Sequence, residues 1–500
     1  MYTNMSFIRR IKRGQYTYLA EVENRWINGK VIQKHIRYVG KELNGKPILS
    51  GSIANAEVAK VTIWAPLIAL HTLAKQIRLP EILGEHGEYL LSMAYANCID
   101  PKSVNRMEDW YQRTDLHKML SISDVSEKKL YEALDSVNDN SSEIIQKNIF
   151  RSVREVYELA PDAYFFDVTN VYFYGTECSL AKKGHNKEGG YNPQIQIGLA
   201  VTGDEGIPIF HKTFEGNIHD ARIAQDVMTS FHNLNIKDAF MIWDRGVSSE
   251  ANILDAKKAG FDVICGLAIK QDLKTVVDEF IDKKEFIQLK NRIRLRNAVV
   301  YCIRKKYKYG TIRGNIIICF NEETARVNRE KRIDAVQKAK DLLTKGKPIP
   351  DAVKKYFKNQ NVDESALSEA QAYDGYMVLF STKDLPMEKI VKPYFEKDKV
   401  EKAFQSLKSV LGLRPIKHWI AQRVKAHVFI CHISYLLHTL LDYKLRDMNI
   451  SSVEALDTLS SAYKVYLKDS RTGNEFEKNV ILSRKQEMIL KSIDKKILKT

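Results

Sequence analysis

The stretch KPYFEKDKVEKAFQSLKSVLGL, Lys392 to Leu413, decides how the rest of the chain is read. Laid out at about 100° per residue, it separates into two stripes. Val400, Phe404, Leu407 and Leu411 fall within an arc of roughly 60°, the seam of a helix packed on a core. Tyr394, Lys397, Glu401 and Lys408 fall within a second arc, roughly 80° from the first. A carboxylate flanked by cations therefore rides on the shoulder of a buried helix. A solvated face of alternating charge has the same pattern, so the helix is weighed with its company. Two aspartates upstream, Asp167 and Asp244, each interrupt or end an apolar strand pattern, where a carboxylate is costly unless it is solvated or binds a metal.

Working outward, residues 163 to 270 alternate strand and helix. AYFFDVTNVYFYG carries Asp167, QIQIGLAVTG and IPIFHKTFEGN follow as two more strands, and AFMIWDRG is a buried strand that ends in Asp244. Helices are expected in DARIAQDVMTSFHNL and SEANILDAKKAG, and a further strand in FDVICGLAI. Three strands in a row, then alternation, predicts a mixed sheet with helices packed on it. Residues 271–385 interrupt this pattern with β-patterned sequence rich in Arg, Lys and Tyr, a charged helix EETARVNREKRIDAVQKAKDLL, and the strand YMVLFSTK. Tyr301, Tyr307 and Tyr309, interleaved with cations, suit either a nucleic-acid groove or an edge sheet with a charged outer face. Beyond the pivotal helix, IAQRVKAHVFICHISYLLHTLLDYKL reads as an amphipathic helix lying on the sheet. His427 and His432 are five apart on it, off the spacing of a helical metal pair, and read as core or partner-facing histidines.

The N-terminal part has two textures. Residues 1–55 form a small basic β module, with Arg9, Arg10, Lys12 and Arg13 leading into a hairpin expected at Asn28-Gly29. Residues 56–160 are helical and are expected to bind DNA ends. The catalytic core is assigned to 161–270 and 386–440, the β-rich insertion to 271–385, and a helical tail to 441–500.

Composition narrows the partner. In 500 residues, Lys plus Arg number 78 against 62 Asp plus Glu, a net charge of +16, which favours a polyanion. Six cysteines without C-x-x-C or finger spacing point to a reducing compartment and away from structural zinc. No secretory signal pattern opens the chain, and no stretch approaches the roughly 20 apolar residues of a membrane span. The expectation is a cytoplasmic protein without a membrane partner.

Carboxylates that converge from separate elements can hold divalent metals for phosphodiester chemistry, and Asp167, Asp244 and Glu401 would supply such a cluster. Magnesium suits it, being content with few protein ligands. Tyr394, Lys397 and Lys408 would meet DNA phosphates.

These motifs, FFDVTNVYF, IWDRG and YFEKDKVEKAFQSLK, resemble those of DDE insertion-sequence transposases of the RNase H-like superfamily, in the group with a Tyr-x2-Arg-x3-Glu-x6-Lys signature. Here the signature positions are Tyr394, Lys397, Glu401 and Lys408, with Val400, Phe404 and Leu407 at the apolar positions. The resemblance covers about residues 160 to 440. It implies an α/β fold: an RNase H-like mixed-sheet catalytic core with a β-rich insertion, preceded by a small β module and an α-helical domain. It further implies that Asp167, Asp244 and Glu401 are a catalytic, metal-binding triad for two Mg2+ ions, with Mn2+ as a substitute. The implied reaction is nicking at the element's ends, then attack of the freed 3′-hydroxyl on target DNA. Double-stranded DNA, both transposon ends and target, is the implied partner, met by a homodimer in a prokaryotic cytoplasm, associated with the nucleoid. Two departures are visible. Lys397 replaces the usual Arg, losing a bidentate fork. The insertion contains no Trp, which some relatives use to stack a flipped base in a hairpin step, leaving Tyr301, Tyr307 or Tyr309 as substitutes. A purely hydrolytic nuclease and a non-catalytic DNA-binding derivative are the competing classes.

Overall fold

A computed structural model of the chain describes residues 6–14, 16–27, 30–43, 46–49, 56–122, 124–159, 163–173, 177–184, 193–203, 205–233, 240–270, 272–281, 286–296, 298–470 and 473–499. The chain opens with an antiparallel sheet of β1 (Ser6–Arg13), β2 (Tyr16–Ile27), β3 (Lys30–Leu43) and β4 (Lys46–Leu49), in that order. The Asn28-Gly29 turn lies outside the described residues, though β2 and β3 pair antiparallel up to Ile27 and Lys30 on either side of it. After β5 (Ala56–Ile63) come helices α1 (Ala65–Gln76), α2 (Leu79–Leu83), α3 (Gly87–Ile99), α4 (Met107–Gln112), α5 (Glu127–Ser136) and α6 (Asp139–Tyr157).

The centre is one large sheet. Its strands are β6 (Ala163–Tyr172), β7 (Gln194–Thr202), β8 (Pro208–Glu215), then, after α7 (Asp220–Asn233), β9 (Phe240–Trp243) and, after α8 (Glu250–Lys258), β10 (Asp262–Leu267). The order β8-β7-β6-β9-β10 is antiparallel across its first two joints and parallel across the last two, a mixed sheet consistent with the expected RNase H-like core. The next segment adds α9 (Asp272–Ile281), β11 (Arg292–Arg294), β12 (Val299–Tyr309), β13 (Ile312–Phe320), α10 (Glu322–Thr344), α11 (Asp351–Lys354), a short hairpin of β14 (Phe357–Lys358) and β15 (Asn361–Val362), α12 (Glu364–Ala372) and β16 (Tyr376–Ser381). Apart from the β14–β15 hairpin, its strands do not form a separate sheet. β16 pairs with β10, and β13, β12 and β11 continue outward, so nine described strands share one set of ladders.

Alternation along β6, β9 and β10 sends side chains to opposite faces. Phe166, Trp243 and Cys265 face one layer, with Ile223 of α7, Ile253 of α8 and Val277 of α9. Phe165, Ile242 and Ile264 face the other, covered by α13 (Met387–Phe395), α14 (Asp398–Ser409) and the start of α15 (Ala421–Leu445). The pivotal run is thus two helices rather than one. Pro393 sits inside α13 without an N–H to donate, and the chain turns at Glu396 before α14 begins.

α15 departs from the amphipathic expectation, since every residue from Val428 to Leu441 is buried. Its first half touches the sheet layer through Val424 and Val428, while Phe429 to Leu445 form the axis of a helical core shared with α1 to α6. Ala421–Met448 is also long and apolar enough to cross a membrane, contrary to the sequence expectation; 89% of its most apolar window is buried inside the protein, which accounts for its composition. The final segment, expected to be helical, contains α16 (Ser452–Ser460) and α17 (Arg484–Ile493), but also the hairpin β17 (Tyr463–Asp469) and β18 (Glu475–Asn479). β17 pairs with β5 from Tyr463↔Ile63 to Asp469↔Ala56, so the end of the chain is stitched to the start of the helical unit. Alternating Lys and Glu on a three-stranded sheet hid this pairing. A cut near residue 160 would separate α15 to α17 from the helices they pack against.

Candidate active site

Register places the two aspartates. β6 and β9 run parallel with Ala163↔Phe240, Tyr164↔Met241 and Phe165↔Ile242 as partners. Two residues further along both strands stand Asp167 and Asp244, level with each other and on the face that Phe165 and Ile242 share. Asp167 remains inside β6, opposite Leu199 of β7. Asp244 is the first residue beyond β9, in extended conformation, and its Oδ1 accepts a hydrogen bond of 2.8 Å from the N–H of Arg245, opening a short helical turn.

The helices bring the remaining groups to that face. Val400, Ala403, Phe404 and Leu407 of α14 are buried against the sheet, each large apolar side chain contributing about 1.5–3 kcal/mol. Burying this seam leaves Glu401 exposed beside it. The Lys397 Nζ lies 3.2 Å from Oδ2 of Asp244 and 3.9 Å from Oε1 of Glu401, bridging the two carboxylates. Lys408 Nζ donates to Thr169 Oγ1 at 2.5 Å; Thr169 lies two residues after Asp167 and therefore on the same face of β6. Tyr394 is 2% exposed and donates its hydroxyl to Asp244 Oδ1 at 3.2 Å. In this arrangement that hydroxyl is engaged by the carboxylate rather than open to phosphate. Gly266 on β10 makes room for it, since a Cβ there would collide with the Tyr394 oxygen.

Burial alone would raise the Asp244 carboxyl, but the Lys397 ammonium, the Arg245 N–H and the Tyr394 hydroxyl together hold it below the usual aspartate value. Burial, reinforced by the adjacent Asp244 carboxylate, pushes the Tyr394 phenol well up, so it stays a donor. The site keeps one anion firmly ionised and one neutral donor aimed at it.

A cleft of about 610 Å3 opens beside this cluster, running from Asp244, Tyr394 and Lys397 past Val300 to Asn321, Thr324 and Asn328 at the start of α10. Tyr301, Tyr307 and Tyr309 do not line it. Their rings are partly buried on the opposite face of the sheet, and Tyr309 packs on Phe380 while its hydroxyl donates to the carbonyl of Ser248 at 3.0 Å. The stacking role open to them in sequence is blocked by the strand alternation that sends odd-numbered residues of β12 into that layer.

The donor set fits a hard divalent cation, being carboxylate oxygen throughout, with Asp167 and Asp244 already level on adjacent strands. Among the described residues no three His, Cys, Asp or Glu side chains are gathered closely enough to hold an ion, and between Asp244 and Glu401 the cation present is the Lys397 ammonium. Sequence reading missed Thr169, although its spacing from Asp167 could have revealed it. It also missed Arg414, whose Nη2 donates to the carbonyl of Asn170 at 3.2 Å and whose guanidinium lies 5.7 Å from the Tyr172 ring. No periodicity marked Arg414, because it follows α14 in irregular chain.

A family model described as a transposase DDE domain matches residues 158–437, more than half of the chain. No curated protein matches the sequence. Among solved structures, the cryo-EM structure of a piggyBac transposase synaptic complex with hairpin DNA is similar at 10% identity, covering 80% of each chain with a TM-score of 0.39, a likeness too slight to carry an argument.

Proposed function

The chain belongs to the transposase DDE domain family, and from that premise we propose that it excises and integrates an insertion sequence, with Asp167, Asp244 and Glu401 as its catalytic carboxylates. The observation that carries this reading is the level placement of Asp167 and Asp244 on adjacent parallel strands, under a helix whose Glu401 is joined to Asp244 through Lys397.

In the proposed reaction a water oxygen bonds to phosphorus at the element's end as the bond to the 3′ oxygen breaks, and the freed 3′-hydroxyl then displaces a 3′ oxygen in target DNA. Divalent Mg2+ held by the three carboxylates would activate the nucleophile and stabilise charge on the leaving oxygen. Tyr394, Lys397 and the Arg245 N–H keep Asp244 ionised and oriented for that duty. In this reading Lys408, which donates to Thr169 near Asp167, would meet a phosphate and help set the scissile bond over the carboxylates, where small misplacements are costly. The partners in this reading are transposon-end and target duplexes, engaged by a homodimer.

The test is product analysis. The full chain is incubated with its element's end DNA, a target duplex and Mg2+, and the strands are separated on a denaturing gel. Nicked ends together with joined products support transposition. Nicked ends that never join identify a nuclease, and absence of both with binding retained identifies a non-catalytic DNA-binding protein.

A further inference from the structure

The two faces of the β1–β4 sheet differ in charge. Cross-strand pairing puts Arg10, Glu21, Arg37 and Glu42 on one face. There the charges cancel in pairs, Arg10 with Glu42 at 2.8 Å and Arg37 with Glu21 at 2.7 Å, and Arg25 also meets Glu23. The other face, among the described residues of β1, β2 and β3, carries no Asp or Glu at all. It presents Arg9, Arg13 and Lys41 with Tyr16, Tyr18 and Trp26. Arg9 bonds the neutral amide of Gln33, and the Lys41 ammonium lies 5.0 Å from the Tyr16 ring and 5.6 Å from the Tyr18 ring.

A sheet face with rings and cations but no acid among its described residues is built for a polyanion: on that face the cations have no carboxylate to meet, and the Tyr16 and Tyr18 rings hold Lys41 in place. Shape agrees. Among the described residues β1 pairs with β2 no further than Ser6↔Glu23, while β2 and β3 run on together to Ile27↔Lys30. Among the described residues that end of β2 and β3 is a two-stranded ribbon bearing Trp26, which is 71% exposed. A ribbon of this kind fits the major groove of B-DNA, about 12 Å wide.

We propose that the acid-free face of the β1–β4 sheet is a docking surface for duplex DNA, with Arg9, Arg13 and Lys41 on the phosphate backbone and the ribbon end directed into a groove. The proposal rests on the transposase reading for its choice of polyanion. A second copy of the chain is disfavoured as occupant, because a symmetric pairing would set these cations against their own copies.

The experiment compares two full-length triple variants of equal charge: Arg9→Ala with Arg13→Ala and Lys41→Ala on the acid-free face, and Arg10→Ala with Lys12→Ala and Lys34→Ala on the opposite one. Affinity for a fluorescein-labelled mixed-sequence duplex is measured against salt. The first triple should lower the slope of log affinity against log salt by about 2 to 3, and the second should leave it near that of the unaltered protein. The charge-conserving triple Arg9→Lys, Arg13→Lys and Lys41→Arg should restore the slope, which a folding defect would not do. Equal effects from both triples would overturn the assignment of this face while leaving the transposase reading intact. So would an unchanged slope accompanied by loss of self-association in sedimentation, which would mark a surface between copies. Failure of the unaltered protein to bind the duplex would overturn both readings together.

Discussion

The Lys397 ammonium stands 3.2 Å from the Asp244 carboxylate on one side and reaches Glu401 on the other, occupying the space between two groups assigned to a divalent cation. Like charges sharing one pair of carboxylates oppose each other. Lys397→Ala should therefore tighten Mg2+ binding to the DNA-free protein by about 3- to 10-fold, while cleavage falls because Asp244 loses its orienting partner. Isothermal titration with Mg2+ measures the first effect. Unchanged or weaker Mg2+ affinity would show that Lys397 does not compete at this site.

Lys408 donates to the Thr169 hydroxyl, two residues along β6 from Asp167, at the edge of the carboxylate cluster. Lys408→Ala should reduce the salt slope of duplex binding by about 1 and lower nicking. Gln405, exposed on the same helix and uncharged, is the control, and Gln405→Ala should change neither quantity. A wild-type slope and wild-type nicking for Lys408→Ala would make the polar stripe of α14 a solvated face.

Gly266 and Tyr394 form a pair that can be tested together. Gly266→Ala should destabilise the fold by about 1–3 kcal/mol through overpacking against the Tyr394 hydroxyl, and should lower cleavage by pushing that hydroxyl off Asp244. Adding Tyr394→Phe removes the colliding oxygen, so the double variant should regain stability without regaining activity. Urea denaturation and the nicking assay, run on both variants, check the two halves; recovery of activity in the double variant would dismiss the hydrogen bond to Asp244.

Four buried histidines set an acid limit. Burial lowers His71 to about 4, His211 to about 3 and His438 to about 4, and it also holds His432 well below its ordinary value, with His211 against it at a ring-centroid distance of 4.5 Å. Each is neutral in the folded chain and takes up a proton on unfolding anywhere between its lowered value and the ordinary value of about 6.5. Stability should therefore fall as pH drops below about 6.5, and His432→Leu should reduce that dependence by up to about 1.4 kcal/mol per pH unit. Urea midpoints between about pH 5 and about pH 7 test this; a flat profile for the unaltered protein would contradict it.

What was legible in the sequence were the features carried by local pattern. The strand around Asp167, the strand ending before Asp244 and the apolar seam of α14 all announce themselves by period, and the level placement of the aspartates follows from parallel pairing of those strands. What escaped was set by distant contacts or by single residues. The chain turns at Glu396 and Lys397, so Tyr394 reaches Asp244 from a different helix than the one bearing Glu401. The faces of β12 decide the fate of its tyrosines, and only the register of Tyr301 to Tyr309 against β13 makes those faces readable. The pairing of β17 with β5 joins residues some four hundred positions apart, and no local signal in either strand names the other.

The central claim is that Asp167, Asp244 and Glu401 act as one catalytic unit. It is tested most directly by nicking of element-end DNA in Mg2+ with Asp167→Ala, Asp244→Ala and Glu401→Ala measured separately, alongside duplex binding. Each substitution should abolish nicking, since loss of one ligand removes most of the stabilisation that metal ions give an in-line displacement, and each should leave DNA binding intact. Near-normal nicking by any one of the three variants would contradict the account.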